Sequence, residues 1–137
     1  MDPLRITTAY SNNIHSRQFF ALVRKSLKPT GIVMVGGVEW NPVIPRTLME
    51  EFAYVRSYPD FCLASESELG QNEDRFDELI ASFPSDLQFQ IREFRKGALE
   101  GDKLRRAVSG RPTNDDWHPV SEYFLGPELR RWFNSRR

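Results

Sequence analysis

The sequence predicts an α/β fold: a short, mainly parallel sheet that closes in an antiparallel hairpin and is packed by about four to six helices. Three observations point there. Helical periodicity from Ser16 onward stops at Pro29 and Gly31 and passes directly into the unbroken apolar run Ile32-Val33-Met34-Val35. A proline-started helical stretch separates that run from the next apolar one. Two alternating stretches, 54–58 and 61–65, are joined only by Pro59-Asp60. So short a turn forces an antiparallel pair, because a parallel return needs about a dozen residues.

The elements follow in order. Ser16 is a good N-cap, since its hydroxyl can accept an orphan amide of the first turn. Phe20, Val23 and Leu27 then recur at helical spacing, with Phe19 and Leu22 widening the stripe. Arg24, Lys25 and Lys28 place positive charge at the negative end of the helix dipole. The run 32–35 has no polar alternation, which predicts a strand covered on both faces. Gly36-Gly37 ends it, 38–41 form a loop, and Pro45 fits the first position of a helix reaching about Phe52.

After the hairpin, 66–72 is polar and loop-like. Residues 73–83 predict a helix with Phe76, Leu79, Ile80 and Phe83 inward. Pro84 interrupts, and Ser85 is expected to cap a further helix with Leu87, Ile91 and Phe94 on one face. Gly97 is a natural stop. Residues 98–108 predict a short helix using Leu99, Leu104 and Val108, and a last helix is expected over 127–133. The chain divides into an N-terminal segment (1–15), a helix and strand core (16–65) and a helical C-terminal part (66–137), all in one domain.

At 137 residues, with 19 Lys plus Arg against 19 Asp plus Glu, the formal net charge is zero. That balance argues against a general nucleic-acid or membrane-surface binder. The arginines at 130, 131, 136 and 137 read as a solvated tail. The single cysteine, Cys62, lies in the apolar run Phe61-Cys62-Leu63-Ala64 and is expected to be a small core residue, with no basic neighbour to activate it. No apolar run has the length of a membrane span, and the N-terminus lacks the pattern of a signal peptide. The expectation is a cytoplasmic protein. His15 and His118 lack metal-ligand spacing, so no metal is expected, and His15 reads as a surface residue. Neither a phosphate-binding glycine loop nor a serine-hydrolase elbow is present.

Three stretches together carry a resemblance. The first is Asp2, Tyr10-Ser11, Asn13 and the segment SRQFFALVRKSLKPTG from Ser16 to Gly31. The second is FAYVRSYPDFCLAS from Phe52 to Ser65, and the third is Thr113-Asn114-Asp115-Asp116 with Pro119 and Glu122-Tyr123. Their order resembles the C-terminal half of class I methyltransferase-like folds, whose Rossmann-like sheet ends with a reversed strand inserted beside a parallel one. More narrowly, the chain resembles the spermidine synthase-like (polyamine aminopropyltransferase) family over most of residues 2–125. The resemblance implies aminopropyl transfer from decarboxylated S-adenosylmethionine to a polyamine. Asp2 would be the base that takes the amine proton. Tyr10, Asn114, Asp115, Asp116, Glu122 and Tyr123 would hold the amine substrate.

The glycine-rich turn and the ribose-binding acid that such enzymes place in the first half of the fold have no counterpart here. The expectation is therefore a chain reduced to the closing half, with no bound cofactor and no independent catalysis. Two other readings compete. In the first, the chain is a non-catalytic homo-oligomeric interaction module, whose association covers the sheet edge at 32–35. A fragment of an S-adenosylmethionine-dependent methyltransferase would share the fold without needing the acidic cluster. For Asp115 and Asp116 the plain alternative is turn formation and capping before Trp117.

Overall fold

The computed structural model describes residues 14–36 and 41–117. Five helices and a four-stranded sheet occur there: α1 (Arg17–Ser26), β1 (Ile32–Gly36), α2 (Val43–Glu51), β2 (Tyr54–Ser57), β3 (Phe61–Ser65), α3 (Glu73–Ile80), α4 (Ser85–Lys96), β4 (Leu99–Glu100) and α5 (Gly101–Ala107). The expected α/β class holds. The expected loop at 38–40 and helix at 127–133 lie outside the described residues.

Helix α1 starts as its sequence requires. Ser16 is extended, and its hydroxyl accepts the Phe19 amide at 3.2 Å. Phe20 is fully buried, with Phe19, Val23 and Leu27 packed partly against the same core. Leu22 departs from the expected stripe and is 63% exposed. A helix resting on a sheet by one side buries a narrow face, and Leu22 falls outside it.

The sheet order is β1-β3-β2-β4, and every pairing is antiparallel. The 54–58 and 61–65 stretches pair as expected, Val55 facing Ala64 and Ser57 facing Cys62. The mainly parallel sheet does not occur as adjacent parallel strands. Strand β1 and strand β2 do run in the same direction, joined through α2, because both are antiparallel to β3. Strand β3 fills the place between them.

Strand β1 also departs from expectation. It pairs with β3 alone among the described residues, and it is covered on one face only, with Ile32 56% and Met34 67% exposed. Its apolar run signalled burial, but an edge strand with helices on one face leaves alternate side chains bare. Proline 45 occupies the third position of α2 rather than the first, after Pro42 as N-cap. That is tolerated because amides throughout the first turn lack helical partners. The Asn41 side chain instead accepts the Val43 amide at 2.9 Å.

The C-terminal part is less buried than its periodicity implies. In α3 only Ile80 is buried, while Leu79 and Phe83 are exposed. Helix α4 has no buried residue and begins after Pro84 as N-cap, so Ser85 is inside the helix rather than its cap. The two helices hold each other through Arg92–Asp77 and Arg95–Glu73 ion pairs. Phe94 stacks on Tyr58 and Phe61 of the hairpin, with ring centroids 5.6 and 6.0 Å away. Residues 98–108 are not one helix. Leu99 and Glu100 form β4, facing Ser57 and Arg56, and the helix begins at Gly101. Gly101 has φ +52°, a conformation that glycine adopts without strain.

The core joins Phe20, Ile44, Leu48, Phe52, Val55, Cys62, Ala64, Leu104 and Val108. It therefore lies between the sheet and α1, α2 and α5.

Candidate functional site

The expected site residues within the described region lie where three chain segments meet. Helix α2 contributes Thr47, in its second turn. Residues 15–18, at the start of α1, and residues 113–117 reach the same place. The link is Asn114, which is fully buried. Its carbonyl accepts the Arg17 amide at 2.8 Å, and its own amide donates to the Thr47 hydroxyl at 2.9 Å. Its side-chain Nδ2 donates to the His15 carbonyl at 3.2 Å. Thr47, itself fully buried, donates its hydroxyl hydrogen bond to the Val43 carbonyl at 2.7 Å.

This network has a clear physical cause. The start of a helix carries amides without helical partners, and a buried amide or carbonyl left unpaired is costly. An asparagine supplies donors and an acceptor on one short side chain, together with its backbone groups. Here those groups tie the start of α1 and the middle of α2 to a distant stretch of chain. His15 is drawn in with them: it is only 4% exposed, against the expected surface position. Asn114 therefore belongs to the fold at this point.

The neighbours are more open. The Asp115 carboxylate accepts the Trp117 amide at 2.8 Å, the turn-forming role that acidic residues often take. Asp116 is exposed, and its amide donates to the Gln18 side chain at 3.2 Å. Trp117 is 84% exposed beside it. The structure thus gathers His15, Asn114, Asp115 and Asp116 beside the start of α1. Asp2, Tyr10, Glu122 and Tyr123 lie outside the described residues. The supporting role of Thr47 was missed in the sequence, because nothing local marks a helical threonine as an acceptor for a residue far along the chain.

This arrangement offers an exposed carboxylate on a segment held by buried hydrogen bonds. Such a carboxylate can attract a cationic group, with an energy that depends strongly on how far water is excluded. Among the described residues, no group of three His, Cys, Asp or Glu side chains could hold a metal ion. No described helix is long and apolar enough to cross a membrane. Burial pushes the Cys62 thiol up to about 11, an effect that the nearby Ser57 hydroxyl partly opposes. A thiol so placed is a core group, as its sequence context predicts.

A cleft lies elsewhere. It has a volume of about 360 Å³ and runs between the end of α2, the start of β2 and α5, with Phe52, Tyr54, Arg56, Leu69 and Glu100 among its walls. None of the expected site residues lines it. Arg56 is buried at its base, donating to Glu100 Oε2 at 2.6 Å and to the Leu69 carbonyl at 2.7 Å. No protein-family model, curated protein or solved structure matches the chain.

Proposed function

We propose that this chain is the closing half of a spermidine synthase-like, class I methyltransferase-type domain, with its amine-binding acids on the segment around Asp116. The observation that carries the reading is a convergence. Two stretches that resemble the family, the start of α1 and Asn114–Asp116, are far apart in sequence and are hydrogen-bonded to each other. The sheet supports it as well, since reversed β3 stands between β1 and β2, which share a direction. In this reading Asp116 attracts a distal ammonium of the polyamine, and Asp115 shapes the turn that presents it. Asp2 accepts the proton of the attacking amine, so that nitrogen reacts as a neutral nucleophile. In a complete enzyme of this type, decarboxylated S-adenosylmethionine would supply the aminopropyl group, the new C–N bond forming as the sulfonium C–S bond breaks and methylthioadenosine leaves.

The chain has no glycine-rich turn to let its backbone approach a nucleoside. Adenosyl nucleosides are therefore expected to bind weakly or not at all, and calorimetry giving micromolar affinity would overturn that part. The amine site is tested by amide NMR during titration with spermidine. Shifts are expected at Asp115, Asp116 and Trp117, and they should shrink in Asp116→Asn. Spermidine that leaves those amides unmoved, or moves them equally in the variant, defeats the assignment.

A second reading has its own observation. Strand β1 is a sheet edge with Ile32 and Met34 bare, and an unprotected apolar edge invites pairing. In that reading the protein is a non-catalytic homo-oligomeric module. Sedimentation should then find a dimer that Met34→Lys dissociates; a clean wild-type monomer rules the module out.

A further inference from the structure

A second cleft, of about 270 Å³, opens between the β2–β3 turn and α3–α4. Its walls carry Arg56, Arg75 and Arg95, with Tyr58 and Phe76 as aromatic surfaces, and no carboxylate lines it. Arg75 is the one arginine of this lining that no described carboxylate pairs. The carboxylates that pair with two of these arginines belong to other walls: Glu100 lines the larger cleft and Glu73 the adjoining one on α4.

Each guanidinium is positioned differently. Arg56 is only 7% exposed and is anchored by Glu100 and the Leu69 carbonyl. Arg95 is held by Glu73 and Gln71, and its guanidinium carbon lies 4.1 Å from the Phe76 ring centroid. These contacts fix two long side chains whose ordering would otherwise oppose binding. Arg75 is exposed and makes no ion pair among the described residues. Asn72 caps α3 here, its side chain accepting the Arg75 amide at 2.9 Å, which fixes the turn that carries Arg75.

We propose that this cleft binds a small phosphomonoester, its phosphate held by Arg75 and Arg95 over the buried Arg56 and its organic part lying against Tyr58 and Phe76. Guanidinium groups suit phosphate because their planar donors meet its oxygens in pairs. An aromatic wall beside them accommodates a flat organic group. The site is separate from the segment around Asp116 proposed to hold the amine.

Calorimetry and amide NMR with phenyl phosphate test the proposal, with inorganic phosphate and phenol as separate arms. Phenyl phosphate is expected to bind with a dissociation constant of about 0.1–1 mM, moving the Asn72, Arg75 and Phe76 amides. Binding should tighten as pH rises through about 6, where the ligand takes its second negative charge. Arg75→Ala should weaken it about tenfold while circular dichroism stays unchanged, whereas Lys25→Ala, which removes a distant cation, should leave it alone. Inorganic phosphate binding as tightly as phenyl phosphate would keep the anion site and assign it to the free ion, removing the role given to the rings. Phenol binding as tightly as phenyl phosphate overturns the proposal. So does an affinity that Arg75→Ala leaves intact, or no binding at all.

Discussion

Replacing Thr47 by valine isolates one bond in the Asn114 network. Valine keeps the shape of threonine but removes the hydroxyl that accepts the Asn114 amide at 2.9 Å. Val43 loses little, because its carbonyl still accepts the helical amide of residue 47. The Asn114 amide, in a fully buried residue, is left without that partner. A buried donor stranded in this way costs about 1–3 kcal/mol, and the added methyl group offsets part of it, so a net loss of about 1–2 kcal/mol is expected. At about 3–5 °C per kcal/mol for a domain of this size, Tm should fall by about 3–10 °C.

The assay is urea unfolding with an unchanged m-value, combined with hydrogen exchange at the Asn114 amide. Exchange should accelerate there and at Asp116 more than in β3. Asn114→Ala removes the donor to the His15 carbonyl and should cost about 2–3 kcal/mol. Because both side chains hold one segment, the double variant should cost less than the sum. Strict additivity, or a valine variant as stable as the parent with Asn114 still protected, refutes the view that this segment is held as a unit.

Two further predictions follow from other buried groups. The Cys62 thiol is raised from its ordinary 9.0 to about 11, so the folded state keeps the proton that the unfolded chain loses first. Its stabilising contribution is whole below pH 9 and is lost as pH rises through the window from 9 to about 11, which unfolding midpoints measured across that range should record. Iodoacetamide should label this cysteine slowly in the native protein and rapidly in urea. Glu100→Gln weakens the charge partner of buried Arg56. Since Glu100 is half exposed, the expected loss is about 1–2 kcal/mol rather than the larger figure of a fully buried pair, and chemical denaturation can measure it.

The inward face of α3 and α4 was legible only in part. Leu79, Phe83 and Leu87 sit at helical spacing, yet these helices meet each other through ion pairs and reach the hairpin through Phe94, leaving those side chains exposed. Periodicity identifies a helix and its apolar side but says nothing about whether a partner covers that side. Leu99 shows the same limit from the opposite direction. Its spacing matched a helix, but pairing with Ser57 made it a strand.

What the sequence by itself determined was local. Ser16 capping α1 and the opposed strands on either side of Pro59-Asp60 depend on neighbours within a few residues. Capping chemistry, turn length and short apolar patterns are legible at that range. Only the tertiary structure decided that β3 enters between β1 and β2, that β1 keeps one bare face, and that Asn114 is buried against His15 and Thr47. Those outcomes depend on which distant backbone donors and acceptors meet, because each group pairs with whatever the whole packed chain brings within reach.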